Sequence, residues 1–193
     1  MPSVVTTRAI FCLGDSITLG GTGGETVPWP QRLRLALAPD RSVGNLGVSG
    51  ATIADMATLY ATNVQGQGFV GCTLLGGIND INGGATGAAT LTAYQNLVTT
   101  LTGDGLKVLC LAMSPCGAYA GWNGTKQGYL DTLNAGILAL SGPLITTYDT
   151  YTFMGEPGTP TDLRTAYSLD GLHWLQAGID AFYPQIQATL AAF

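Results

Sequence analysis

Short runs of consecutive apolar residues alternate along the chain with longer stretches in which apolar residues recur every three or four positions. Such short runs are typical of strands buried on both faces, and the longer stretches are typical of amphipathic helices. The runs predict strands over residues 9–13, 69–75 and 107–113, and we expect two further strands over residues 42–46 and 144–148. The stretches predict helices over residues 28–38, 52–61, 86–101, 126–140 and 175–191, the last with a kink at Pro184.

This alternation of strands and helices predicts a parallel sheet covered by helices on both faces, that is, a three-layer α/β/α fold. The length of 193 residues fits one domain over residues 1–193. Residues 150–168 are rich in Gly, Pro and Thr and predict a long loop. In parallel sheets ligands bind at the carboxyl ends of the strands, so residues that directly follow strands are the candidates for function.

The composition narrows the classes of function. Apolar residues make up 46% of the chain and the net charge is −5 with seven basic residues, which argues against nucleic acid as a partner. No apolar run approaches the ~20 residues of a membrane-spanning helix. The first eight residues lack the pattern of a signal peptide, but the compartment stays open because a removed signal would leave the same sequence. The sequence does not indicate an oligomeric state.

The cysteines give no sign of a metal or redox motif. Cys12, Cys72 and Cys110 lie in predicted strands, Cys116 follows closely, and no Cys-x-x-Cys pair occurs. We expect free thiols that are buried as small apolar side chains. A disulfide between neighbouring strands is the alternative.

A serine and the only histidine of the chain form the first chemical constellation. Ser16 lies in Gly14-Asp15-Ser16, directly after the first predicted strand, and His173 follows Asp170 by three residues. An Asp-x-x-His turn can hold a carboxylate against one ring nitrogen while the other nitrogen faces a hydroxyl. We therefore predict that Ser16 is a nucleophile, His173 its general base and Asp170 the orienting group. Taken alone, Ser16 also fits a helix cap and His173 an ordinary surface or core residue.

Two further loops follow predicted strands and converge on the same edge of the sheet. They are Asn45-Leu46-Gly47-Val48-Ser49-Gly50 and Gly76-Gly77-Ile78-Asn79-Asp80. The backbone N–H of Gly50, the side-chain amide of Asn79 and the backbone N–H of Ser16 would together form a three-donor oxyanion hole. Each of these residues taken singly is also a common turn former.

These four blocks, in this order, resemble those of the SGNH (GDSL-type) hydrolase family. The resemblance covers nearly the whole chain, from Gly14-Asp15-Ser16 to Asp170-x-x-His173. It implies a flavodoxin-like α/β/α fold and an enzyme that hydrolyses esters or thioesters without a metal or an organic cofactor.

The resemblance also assigns roles to single residues. Ser16 matches the nucleophile of the family, Asp170 and His173 match the rest of its catalytic triad, and Gly50 and Asn79 match its oxyanion donors. The sequence departs from the commonest pattern at two positions next to these motifs. Ile17 stands where many members have leucine, and Trp174 stands where proline is frequent; Trp174 either lines the pocket or packs beneath the triad.

Other residues near these motifs have supporting roles in this interpretation. Asp15 and Asp80 are expected to hold the loops, Asp15 by capping backbone N–H groups. Trp29, Tyr119 and Trp122 lie in predicted connections and are candidates for the border of the pocket, although packing explains each of them equally well.

The substrate is the least determined part of the interpretation. The compact chain leaves little room for a large lid, which favours short acyl groups, above all acetyl, on a small molecule or a carbohydrate. A lysophospholipase or thioesterase acting on longer acyl chains is the alternative. Acyl transfer to a sugar hydroxyl uses the same residues, and a non-catalytic carbohydrate-binding module on the same fold is the main non-enzyme hypothesis.

Overall fold

The computed structural model describes residues 8–193; residues 1–7, most of the segment searched for a signal peptide, lie outside the described residues. A five-stranded sheet with the order β2-β1-β3-β4-β5 runs through the centre, and all its strand pairs are parallel. The strands are β1 (Arg8–Gly14), β2 (Arg41–Gly47), β3 (Gly71–Leu75), β4 (Lys107–Leu111) and β5 (Ile145–Tyr148). The predicted strands and the α/β/α fold class are confirmed, with strand ends that differ by one or two residues.

The burial of the central strands explains why their sequences are mostly apolar, with Thr73 of β3 as a buried polar exception. Every residue of β3 is buried, and residues 10–13 of β1 have no exposed surface. When helices cover both faces of a strand, the side chains that point to either face are buried, and apolar residues are favoured at every position. The edge strand β2 is instead buried only at Val43 and Gly47, and its other residues are partly or fully exposed.

Eight helices connect or flank the strands in the described part of the chain. They are α1 (Ser16–Leu19), α2 (Trp29–Leu37), α3 (Ile53–Asn63), α4 (Ile78–Asn82), α5 (Gly87–Gly103), α6 (Gly124–Leu138), α7 (Thr150–Met154) and α8 (Gln176–Ala191). The five predicted helices correspond to α2, α3, α5, α6 and α8. Pro184 lies inside α8, and its kink stays a prediction.

The helices divide between the two faces of the sheet. Helix α2 contacts α8, whereas α3 contacts α5 and α5 contacts α6. Right-handed crossovers give the same division. The connection from β1 to β2 runs toward one edge of the sheet, and the connections from β2 through β3 and β4 to β5 run toward the other edge, so their helices lie on opposite faces. Helices α2 and α8 therefore cover one face, and α3, α5 and α6 cover the opposite face.

The prediction of a long loop over residues 150–168 was wrong. This region contains α7, the two-stranded hairpin β6 (Gly155–Glu156) and β7 (Thr159–Leu163), and a 3₁₀ turn (Thr165–Tyr167). Asp149 starts α7 by accepting hydrogen bonds from the backbone N–H and the hydroxyl of Thr152. Elements this short hold too few apolar residues for a period to be detectable.

The burial of several side chains can be compared with the surroundings expected from the sequence. All four cysteines are free and buried, as expected. Trp29 is fully buried and packs edge-on against Phe182 with ring centroids 5.7 Å apart, so it belongs to the core and not to a pocket border. Within residues 8–193 no helix is both long and apolar enough to cross a membrane.

Candidate active site

The Gly14-Asp15-Ser16 motif forms the junction between β1 and α1. Ser16 is the first residue of α1, and Asp15 is its N-cap, with Oδ1 accepting a hydrogen bond from the backbone N–H of Ile17 at 2.9 Å. A Cβ atom at position 14 would clash with the side chain of Thr18 and the carbonyl of Leu75, so only glycine fits. The local sequence thus places Ser16 at the carboxyl end of β1.

Ser16, His173 and Asp170 form a continuous hydrogen-bonded chain. Ser16 Oγ lies 3.0 Å from His173 Nε2, and His173 Nδ1 lies 2.6 Å from Asp170 Oδ2. Because a carboxylate only accepts hydrogen bonds, the ring proton belongs on Nδ1, and Nε2 is then free to accept from the serine hydroxyl. This arrangement can remove a proton from Ser16.

The turn that carries Asp170 holds its carboxylate in place and keeps it charged. Oδ1 accepts hydrogen bonds from the backbone N–H groups of Leu172 at 2.9 Å and His173 at 2.8 Å, and from the Ser168 hydroxyl at 3.2 Å. Partial burial acts to raise the pKa of Asp170, but the hydrogen bonds from His173 and Leu172 outweigh it and lower the pKa to about 2. Asp170 is therefore ionised at neutral pH.

The two loops predicted to supply oxyanion donors flank Ser16. They follow β2 and β3, and β1 lies between these strands in the sheet. Gly50 has φ +76°, a conformation that favours glycine, and a Cβ there would face open space. The side-chain amide of Asn79 donates to the carbonyl of Ala51 at 3.0 Å, which ties the two loops together and leaves its second N–H available.

The carboxylate of Asp80 adds a second link between these loops. It accepts a hydrogen bond from the backbone N–H of Ile53 at 3.1 Å, at the start of α3. Asp15 and Asp80 therefore both hold backbone in place, as their positions in the sequence predict.

Asp15 has an unusual environment for a carboxyl group next to a polar site. It is fully buried, and its Oδ2 atom has no hydrogen-bond partner among the described residues. Burial raises the pKa of Asp15 to about 7, although the hydrogen bond from Ile17 and the proximity of His173 both act to lower it. Asp15 and Asp170 thus lie near the same histidine with pKa values displaced in opposite directions.

Asp15→Asn is expected to change the pH dependence of stability. The native pKa lies above the ordinary value, so the native state holds an extra proton between these two values and the wild type loses stability as the pH rises from about 4 to 7. The displacement from 3.8 to about 7 corresponds to at most about 4 kcal/mol. Asparagine keeps the oxygen that caps Ile17 but does not ionise, so the variant should lack this decline. Urea unfolding at pH 5 and pH 8 measures the difference, and parallel pH dependences would contradict it.

The aromatic residues near the site differ in how deeply they are buried. Trp174 is buried, donates from Nε1 to Ser114 Oγ at 3.2 Å and packs edge-on against Phe182, so it belongs to the core next to His173 and does not line a pocket. Tyr119 and Trp122 are partly buried on the connection between β4 and α6.

This connection lies against the turn that carries the candidate triad residues. A Cβ at Gly171 would lie 2.7 Å from the backbone of Ala118 and of Tyr119. The backbone of Tyr119 is therefore beside this turn, whereas the Nε1 of Trp122 donates to Gln127 at 3.0 Å on α6. A role for either ring at the border of the pocket stays a prediction.

Two residues that hold the site in place were missed by the sequence analysis. Ser168 accepts a hydrogen bond from the backbone N–H of Gly171 at 2.9 Å, and a serine that precedes Asp-Gly is a signal for such a turn. Gln176 accepts hydrogen bonds from the backbone N–H groups of Thr26 and Val27, which fixes the glycine-rich segment after α1. No local pattern points to this contact, because its partners are about 150 residues apart.

Comparison with known proteins identifies one matching family. The model of the GDSL-like lipase/acylhydrolase family matches residues 12–181. A search of curated proteins found no significant match.

Solved structures with a similar fold are numerous. A GDSL-like lipase from Bacteroides thetaiotaomicron is 21% identical, with a TM-score of 0.78 over 97% of this chain and 89% of that one. A lipase/acylhydrolase from Enterococcus faecalis is also 21% identical, with a TM-score of 0.73 over 96% of both chains. An acetyl xylan esterase is 18% identical, with a TM-score of 0.76 over 94% of this chain and 99% of that one. At these identities the likeness establishes the fold.

Proposed function

Because the chain belongs to the GDSL-like lipase/acylhydrolase family, we propose that it is a serine esterase in which Ser16, His173 and Asp170 form the catalytic triad. The observation that supports this proposal is the hydrogen-bonded chain from Ser16 Oγ through His173 to Asp170, with distances of 3.0 and 2.6 Å. Nucleophile, base and orienting group are within hydrogen-bond reach of one another, as acyl transfer requires.

The proposed reaction proceeds through an acyl-enzyme. His173 Nε2 accepts the hydroxyl proton while Ser16 Oγ attacks the ester carbonyl carbon, and the carbonyl oxygen takes the negative charge. The imidazolium then gives its proton to the departing alcohol, which leaves the acyl group on Ser16. Water, deprotonated by the same nitrogen, attacks the acyl carbon, and the imidazolium returns this proton to Ser16 Oγ as the acid leaves.

Asp170 and the oxyanion donors act on charges that appear during the reaction. The Asp170 carboxylate fixes the tautomer of His173 and stabilises the imidazolium as it forms. We propose that the backbone N–H groups of Ser16 and Gly50 and the side-chain amide of Asn79 donate to the oxyanion.

Short acyl esters are the first substrates to test, and acetylated carbohydrates come first among them. The similarity in fold to an acetyl xylan esterase supports this choice. Release of acetate from p-nitrophenyl acetate and from acetylated xylo-oligosaccharides measures the activity. Folded protein that binds the oligosaccharide but releases no acetate from either compound would instead be a carbohydrate-binding module. Acetyl transfer to an added sugar would identify a transferase.

Asn79→Ala is expected to lower kcat for ester hydrolysis by about 10²–10³-fold, because one donor to the oxyanion is lost. KM should change much less, since the donor acts mainly on charge that develops in the transition state. Asn82→Ala, at the end of the same short helix, is the matched control; Asn82 accepts a hydrogen bond from Lys126. Equal activities of the two variants would contradict the role of Asn79.

A further inference from the structure

A cavity of about 270 Å³ lies between the carboxyl end of β1, the loop that follows β2, and helix α3. Its apolar wall consists of Val48, Ala51, Met56 and Leu59, and the backbone of Gly14 also borders it. Ala51 and Met56 are buried, Leu59 is partly exposed and Val48 is 46% exposed. The cavity is thus apolar inside and open to solvent.

The polar groups around this cavity are already engaged with the protein. The hydroxyl of Thr58 donates to the carbonyl of Ala54 at 3.0 Å, and that of Thr62 donates to the carbonyl of Thr58 at 2.8 Å. The carboxylate of Asp55 accepts hydrogen bonds from the backbone and the hydroxyl of Thr52 in the capping box of α3. A ligand with hydrogen-bonding groups would gain little here, whereas an alkyl chain would lose none of its interactions.

The cavity is lined by residues that are close in sequence to the candidate site residues. Gly14 is two residues before Ser16, and Val48 and Ala51 lie on either side of Gly50 in the loop proposed to supply an oxyanion donor. The cavity lies beside α3, on the face of the sheet opposite α8.

His173 defines the other side of the site, because it directly precedes the segment leading into α8. In the proposed reaction His173 protonates the departing alcohol, so the alcohol portion of the ester must lie on the α8 side. The α3 side remains for the acyl portion.

We propose that this cavity, which we term the α3 pocket, binds the acyl chain of the ester substrate; this inference rests on the proposed esterase function. A water molecule occupies about 30 Å³ in the liquid, so 270 Å³ corresponds to about nine such volumes. A methylene group is of similar size, and the pocket therefore holds an acyl chain of up to about eight carbons. The long chain of a typical lysophospholipid exceeds this capacity.

A series of p-nitrophenyl esters from acetate to palmitate tests the pocket. Because burial of each methylene group contributes about 0.8 kcal/mol, kcat/KM should rise by up to about fourfold per added methylene until the pocket is full, and then fall. Leu59→Trp is expected to fill the pocket and to lower octanoate hydrolysis at least tenfold more than acetate hydrolysis.

Two further variants make this test decisive. Thr58→Trp fills the mouth of the pocket from an exposed helix position and does not disturb the core, and it should shorten the preferred chain in the same way. Ala61→Trp, on the same helix but outside the lining of the pocket, should keep the wild-type profile.

Unchanged chain-length profiles in both Leu59→Trp and Thr58→Trp would overturn the acyl pocket and leave the esterase proposal standing. Equal losses on acetate and octanoate would overturn it as well, because such a change is not selective for the acyl chain. Failure of the wild type to hydrolyse any ester would count against the proposed function itself, so the two failures are distinguishable.

Discussion

Replacing Ser16 with alanine is expected to lower kcat for ester hydrolysis by about 10³–10⁶-fold. The hydroxyl is the attacking atom in the proposed mechanism, and its hydrogen bond to His173 at 3.0 Å positions it for deprotonation. The activity that remains would come from substrate binding and oxyanion stabilisation alone. Initial rates with p-nitrophenyl acetate at saturating substrate measure the loss.

The matched control for this variant is Ser141→Ala. Ser141 is exposed on the connection between α6 and β5, at the opposite end of the strands from Ser16, so its replacement should leave kcat unchanged. The only side-chain hydrogen bond of Ser16 among the described residues is to His173, so both variants should melt close to the wild type. Hydrolysis by Ser16→Ala at more than a tenth of the wild-type rate would show that another group attacks the ester.

His173→Gln should cause a loss of the same size as Ser16→Ala. His173 is the only histidine of the 193 residues, so no other imidazole can take over as the base. Its side chain bonds to Ser16 and Asp170 and is not part of the hydrophobic core, and glutamine is close to it in size. The measurement is kcat/KM with p-nitrophenyl acetate for the variant and for the double variant with Ser16→Ala.

The double variant shows whether Ser16 and His173 act as one catalytic unit or contribute independently. Residues that act as one unit are strongly non-additive, so the double variant should be no less active than either single variant. Losses that multiply in the double variant would mean that Ser16 and His173 act separately, which the proposed proton transfer between them does not allow.

Two carboxyl groups close to His173 have different pKa values because their surroundings differ. Asp170 is partly exposed and accepts several hydrogen bonds, and its pKa falls to about 2. Asp15 is fully buried, one of its oxygens has no hydrogen-bond partner among the described residues, and burial raises its pKa to about 7. Asp170 therefore suits the permanent charge that a triad needs, whereas Asp15 suits a structural cap.

Much of the fold could be predicted from sequence because the sheet is covered on both faces. Complete burial of β3 and of residues 10–13 favours mostly apolar runs, which are visible without any structure. The convergence of the candidate site residues also followed from sequence, since Ser16, Gly50 and Asn79 each come after a parallel strand. Their loops meet because β1 pairs with both β2 and β3.

Other features depend on contacts between segments that are distant in the sequence, and local sequence patterns could not predict them. Trp29 looked like a candidate for the pocket border but packs on Phe182, 153 positions away in the sequence. The burial of Asp15 depends on how the surrounding loops close over it, and the α3 pocket exists only because α3 lies against the loop after β2. The hairpin within residues 150–168 was missed because its strands have two and five residues.

Covalent labelling tests the central claim most directly. A fluorophosphonate reacts with an activated serine hydroxyl, and mass spectrometry of the digested protein identifies the residue that carries the adduct. We predict one adduct per chain on Ser16, formed in proportion to the loss of esterase activity and absent from Ser16→Ala and from denatured protein. Inactivation with the adduct on another residue, or complete modification of Ser16 with full activity remaining, would contradict the assignment of Ser16 as the nucleophile.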